Sequence, residues 1–136
     1  MSTMTEIFGE PISTYSRAQA IEDGVLVDVT ETSERKETGL SCSVAMTRTA
    51  WTRYVEVPKA APWQDQKGRL WDVLYMLAFA LRRRRRESSD KALLFQFMAT
   101  PNEGKKSVPV LSTLKAVCGL GDEGERTITV MLVDED

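Results

Sequence analysis

The chain contains no histidine and only two cysteines among its 136 residues. Without histidine, Ser-His-Asp and Cys-His catalysis are excluded, and so is any zinc site with an imidazole ligand. Cys42 and Cys118 cannot form a four-thiolate site within one chain, and they allow at most one disulfide. We therefore expect buried, reduced thiols, no metal, no cofactor and a protein that is not an enzyme.

Long apolar runs and a strong net charge are also missing. The longest apolar stretch, residues 73–81, is far shorter than the roughly 20 residues that a membrane span requires. Residues 1–8 lack a basic region followed by an apolar run, which argues against a signal peptide. The net charge of −2 argues against a polycation that seeks nucleic acid. These absences predict a cytoplasmic protein without membrane contact. The length of 136 residues predicts a single globular domain over residues 1–136.

Hydrophobic patterning predicts an α+β fold. Apolar segments predict a mostly antiparallel sheet of about four to five strands, which begin near Val25, Ser41, Leu93, Val108 and Thr127. Capping residues predict three short helices: Arg17–Glu22 after Ser16, a second from Thr30 or Thr32 to Thr38, and a third over residues 48–55 after Thr47. The last two strands are expected to form a hairpin.

The clearest element is a long helix predicted over residues 69–84, packed on one face of the sheet. Its main apolar side falls within roughly a 100° arc and consists of Leu70, Val73, Leu74, Leu77 and Leu81. Tyr75, Met76 and Phe79 project from the opposite half. We interpret this second half as buried under the shorter helices, with a surface for a partner or a second copy as the alternative.

Residues 119–124 match the G-x-G-x-x-G spacing of dinucleotide-binding loops. Such a loop must lead from a strand into a helix, whose first amides bind the pyrophosphate. Here another strand follows, and Asp122 and Glu123 would repel phosphate. We therefore interpret these residues as a hairpin turn. The acidic residues of this loop could also hold a cation, but acidic turns are common and spacing alone does not show convergence.

Two further groups of side chains are candidates for a binding site. The first is an unbroken run of five arginines: Arg82, Arg83, Arg84, Arg85 and Arg86. It is either a solvated helix end or a patch that contacts phosphate or an acidic protein surface. The second is a polar group, Tyr15, Arg17, Glu22 and Asp23, which could line a site or simply form the exposed side of a helix.

Several segments resemble a family of small bacterial proteins of unknown function whose members occur on plasmids and phages. The resemblance is carried by residues 7–9, by residues 15–24 (YSRAQAIEDG), by Thr47, Arg48 and Trp51, by residues 68–74 (GRLWDVL) and by residues 127–132 (TITVML). The family brings no known catalytic residues. It implies a mobile-element accessory protein in a bacterial cytoplasm that binds host machinery, which is an inference by association.

Three functional hypotheses follow. The first is a non-enzymatic protein that binds a host protein complex through Arg82–Arg86 and inhibits a defence system such as a CRISPR effector. The second is direct binding of nucleic acid through the same arginines. The third is a small enzyme or nucleotide-binding protein that uses Tyr15, Arg17, Glu22 and Asp23.

Overall fold

The structure is a computed structural model, and it describes residues 15–57, 65–84, 91–99 and 108–135. In chain order its elements are α1 (Arg17–Glu22), β1 (Leu26–Asp28), α2 (Ser33–Thr38), β2 (Ser43–Thr47), α3 (Arg48–Tyr54), α4 (Gln66–Arg83), β3 (Ala92–Ala99), β4 (Val110–Leu120) and β5 (Arg126–Met131). The α+β prediction is confirmed.

Hydroxyl side chains begin the three short helices. Ser16, Thr32 and Thr47 each accept a hydrogen bond from a backbone N–H in the first turn that follows. This interaction satisfies a donor that the helix itself leaves unpaired. Gly39 ends α2 at φ 81°, a left-handed conformation that favours glycine. Of the two starts predicted for α2, the hydrogen bond that Thr32 accepts identifies Thr32 as the N-cap.

The five strands form one sheet in the order β1-β2-β5-β4-β3. All neighbouring strands are antiparallel except β2 and β5, which run parallel. β4 and β5 form the predicted hairpin, and Gly124 takes a φ of 81° in its turn. The hairpin places β5 in the centre of the sheet and leaves β3 at one edge.

Helix α4 lies across one face of this sheet and buries its leucine side. Val73, Leu74 and Leu77 are fully buried, and they join one core cluster with Phe95 of β3 and Leu114 of β4. The alternation of apolar residues in the strands supplies the opposing surface. The predicted packing of the long helix on the sheet is confirmed.

The expected burial of the second apolar half of α4 is wrong for its two aromatic residues. Tyr75 and Phe79 are each 44% exposed, and Met76 is half-buried. The short helices do not cover this half. α2 contacts α4 along its side, where Trp71 Nε1 donates to Glu37 Oε1 at 3.2 Å. None of the helices in the described ranges is long and apolar enough to cross a membrane.

The two sides of α4 predict different responses to truncation. Leu77→Ala is expected to lower the free energy of unfolding by about 2–5 kcal/mol, because it leaves a cavity in the core. Phe79→Ala removes a half-exposed ring and is expected to cost much less. Urea denaturation of both variants measures the difference, and equal losses would contradict an exposed outer side.

Candidate functional site

The polar side chains predicted to line a site on α1 do not converge. Tyr15 Oη donates to Asp23 Oδ2 at 2.8 Å in an exposed position, and this hydrogen bond raises the pKa of Tyr15. Arg17 points instead to the sheet, where it donates to Thr129 Oγ1 at 2.7 Å and to a neighbouring carbonyl of β5 at 3.0 Å. Glu22 lies exposed in the last turn of α1. Arg17 thus fastens α1 to β5.

The glycine-rich loop between β4 and β5 caps the N-terminal end of α1. The carboxylate of Asp122 accepts hydrogen bonds from the backbone N–H groups of Ala18 at 3.0 Å and Arg17 at 2.9 Å. These two bonds lower the pKa of Asp122. A polar cavity of about 250 Å³ beside them is bordered by Asp28 and Glu125. Within the described parts of the chain, no group of three histidine, cysteine or carboxylate side chains is placed to hold a metal ion.

The two cysteines lie at one end of the sheet, on the side that α4 covers. Both are free thiols, and both are half-buried rather than fully buried. Burial raises the pKa of the Cys42 thiol. The raised pKa disfavours the thiolate, which is the reactive form of cysteine.

The arginine run does not form one continuous patch in its described part. Arg82 donates to the carbonyl oxygen of Thr38 at 2.7 Å, and the Arg83 guanidinium lies 5.5 Å from the centre of the Phe79 ring. Arg84 has left the helix, with φ −69° and ψ 138°, and its Nη1 lies 3.9 Å from a cysteine sulfur. The three side chains therefore reach three different surroundings. Arg85 and Arg86 lie outside the described residues.

Arg83 and Arg84 stand at a groove between α4 and the β3 edge of the sheet. The cavity measures about 640 Å³, and its walls include Phe79 from α4 and Leu93 and Leu94 from β3. None of the described residues that line this groove is acidic. It combines apolar walls with positive charge, a composition typical of sites that take a mainly apolar ligand with one acidic group.

Strand β3 presents a free backbone edge beside this groove. The Cys118 N–H donates to the Lys91 carbonyl at 2.7 Å, and hydrogen-bonded pairs alternate along an antiparallel ladder. Four residues therefore direct their backbone N–H and C=O groups away from β4: Ala92, Leu94, Gln96 and Met98. No strand in the described part of the chain pairs with this edge.

Nothing in the sequence of β3 protects that edge. Natural edge strands are usually short, charged, bulged or interrupted by proline. β3 has eight residues, ALLFQFMA, with no charge, no proline and no break in its register with β4. Leu94 is 57% exposed and Met98 52% exposed. Such an edge favours pairing with a further strand.

The sequence predicts β3 as a strand but not its place at the edge of the sheet. The missing information is its position at the sheet edge, which depends on where β5 inserts. One local signal was present, because an uncharged run of eight residues is unusual in an exposed strand. The groove could not be found from the sequence, since residues 76–84 and 93–96 meet only in the folded chain.

The fold is that of a small α+β protein with a mixed five-stranded sheet, one long helix and an open sheet edge. A sequence profile of a family of unknown function, DUF6573, matches residues 4–136, and the chain belongs to that family. No curated protein and no solved structure matches the chain.

The contact between Asp122 and α1 predicts a pH-dependent stability. The pKa of Asp122 is lower in the folded protein than its ordinary value of 3.8, so its charged form stabilises the fold above that pH. This contribution is lost as the pH falls through the lowered value. Asp122→Asn is therefore expected to reduce the melting temperature at neutral pH, and its difference from the parent protein is expected to shrink below pH 3.8.

Glu123→Gln is the matched control, because it removes the same charge from the same loop without a contact to the α1 amides. Thermal unfolding followed by circular dichroism across this pH range makes the comparison. An equal effect of both substitutions would show that loop charge, rather than the cap, stabilises the fold.

Proposed function

We propose that this chain is a non-enzymatic protein-binding module that accepts an extended segment of a partner protein as a sixth strand beside β3. The observation that carries the proposal is the uncharged eight-residue edge of β3, with its outward backbone groups and exposed Leu94 and Met98. In strand addition, main-chain hydrogen bonds supply affinity, and the alternating side chains supply specificity.

The partner segment is expected to be apolar at alternate positions and acidic near one end. On one face of the extended sheet its side chains would meet Leu94 and Met98. On the other face they would meet Phe79 in the groove. The acidic residue would lie near Arg83 or Arg84, because these two cations stand in the groove and no described acidic residue lines it.

Neither alternative from the sequence gains a specific supporting observation. Arg82 and Arg84 contact Thr38 and Cys118 within the chain, which gives nucleic acid no continuous cationic surface in the described residues. The polar group proposed for an enzyme is divided, with Arg17 turned to β5 and Tyr15 bound to Asp23. Protein binding is therefore the function that we favour.

The biological setting of this proposal comes from the resemblance noted in the sequence. We propose that the protein is carried by plasmids or phages of bacteria and that its partner is a host protein complex in the cytoplasm. Inhibition of a defence system, such as a CRISPR effector, would follow if the strand that β3 captures is needed by that complex. What supports this setting is the resemblance, and the open edge adds a means of contact.

Blocking the outer edge of β3 tests the proposal. Gln96→Pro removes an outward backbone N–H without removing a hydrogen bond to β4, and proline is tolerated on edge strands. Gln96→Thr is the control, because it alters the side chain and keeps the N–H. A library of random peptides longer than β3 is selected on the parent protein, and the enriched peptides are measured by calorimetry. The Gln96→Pro variant is expected to bind these peptides at least about tenfold more weakly, a loss of about 1.4 kcal/mol in binding free energy. The Gln96→Thr variant is expected to bind them almost as tightly as the parent protein.

Two outcomes would overturn strand addition. One is a library from which no peptide is enriched. The other is a set of enriched peptides that bind Gln96→Pro as tightly as the parent protein, which would place the contact elsewhere. Circular dichroism of both variants verifies that each remains folded.

Charge reversal at the groove tests the acidic feature of the partner. Arg84→Glu is expected to lower the affinity for acidic peptides several-fold, and this loss of affinity is expected to diminish as salt is added. Lys67→Glu, the same change of charge in the first turn of α4, is expected to have no effect. Gel shifts with short DNA and RNA duplexes across a salt series complete the test. Duplex binding that Arg84→Glu abolishes would replace protein binding with nucleic-acid binding.

A further inference from the structure

The outer face of α4 carries an ordered stripe of aromatic and charged side chains. At about 100° per residue, Asp72, Tyr75, Phe79 and Arg82 lie within an arc of about 80°. Their spacing of three, four and three residues follows the helical repeat, and all four are exposed. This stripe faces away from the leucine side that packs on the sheet. Among the described residues, Arg82 contacts α2 through Thr38, and the rings of Tyr75 and Phe79 remain 44% exposed.

Two further residues flank the stripe and extend it. Trp71 is 37% exposed and stacks on Tyr75, with ring centres 4.6 Å apart and planes inclined by 11°. Arg83 lies over Phe79 at the other end. Tryptophan, tyrosine and arginine are the side chains that contribute most often to binding energy at protein interfaces.

Charge divides this face into an acidic end and a basic end. Asp72 and Glu37, the acceptor for Trp71 Nε1, lie towards the start of α4. Arg82 and Arg83 lie towards its end. No cation in the described residues forms an ion pair with Asp72. Arg82 uses only Nη2 for its contact with Thr38, which leaves further N–H donors of the guanidinium.

We propose that the outer face of α4 binds the same face of a second copy of this chain, with the two helices antiparallel and related by a two-fold axis that crosses the seam at the level of residue 77. A two-fold axis places residues whose numbers have the same sum opposite each other. One axis pairs Tyr75 with Phe79 of the second copy and Asp72 with Arg82.

Both pairings are chemically favourable. Tyr75 and Phe79 form an aromatic pair at the centre, where water is excluded. Asp72 and Arg82 form an ion pair on either side of it. A parallel arrangement would instead place Asp72 against Asp72 and Arg82 against Arg82. The antiparallel dimer is therefore the arrangement that the charges select.

This dimer can be tested separately from strand addition at β3. The seam residues Asp72, Tyr75 and Arg82 do not line the groove, although Phe79 and Arg83 lie on the border between the two surfaces. Variants at the three seam residues therefore test the dimer and leave the walls of the groove unchanged.

Sedimentation equilibrium of the full chain over roughly micromolar to hundred-micromolar concentrations measures the association. The average mass is expected to rise from 15.3 kDa towards twice that value. Tyr75→Glu is expected to keep the protein monomeric throughout. Gln96→Pro, at the edge of β3, is expected to dimerise like the parent protein. A monomer at all concentrations would overturn the proposal, and so would a dimer that Gln96→Pro abolishes and Tyr75→Glu does not.

A charge exchange tests the orientation of the two helices. Asp72→Arg and Arg82→Asp are each expected to weaken self-association at least tenfold, because each places like charges opposite each other. An equimolar mixture of the two variants is expected to dimerise again, since every charged pair in the mixed dimer is then opposite in sign. Failure of the mixture, with both variants folded by circular dichroism, would contradict the antiparallel register.

Discussion

The burial of the leucine side of α4 against the sheet is the interaction on which the rest of the structure depends. Val73, Leu74 and Leu77 fill the space above Phe95 and Leu114, and this packing fixes how α4 lies relative to the strands. α2 is then held beside the helix. The groove exists because α4 covers the sheet without reaching around the outer edge of β3. Both proposed binding surfaces are therefore positioned by one apolar contact.

Local features of the structure followed closely from the sequence. Helix caps and turns each depend on a few adjacent residues, so they can be predicted from the local sequence alone. The examples here are the caps at Ser16, Thr32 and Thr47, the left-handed Gly39 and the hairpin turn at Gly124. The parallel pairing of β2 with β5 was not predictable, because the residues that form it are about eighty positions apart. The same limit hid the edge position of β3.

The candidate sites show why chemistry is harder to place than secondary structure. A run of arginines looks uniform in sequence, yet α4 ends inside it and sends Arg82, Arg83 and Arg84 to different neighbours. The apolar outer half of α4 has the same sequence pattern as a buried face, because helical periodicity reports which side chains are apolar and not which of them a neighbouring element covers. Tyr75 and Phe79 are exposed for that reason.

The central place of β5 has a consequence for how the molecule is made. β5 is the last of the described strands along the chain, yet in the sheet it lies between β2 and β4. Before residues 126–131 insert into the sheet, the β1-β2 and β3-β4 pairs have no strand to join them, and the carboxylate of Asp122 has not been brought to α1. Until β5 inserts between them, these two half-sheets expose unpaired strand edges, and such edges make a partly folded chain prone to aggregation.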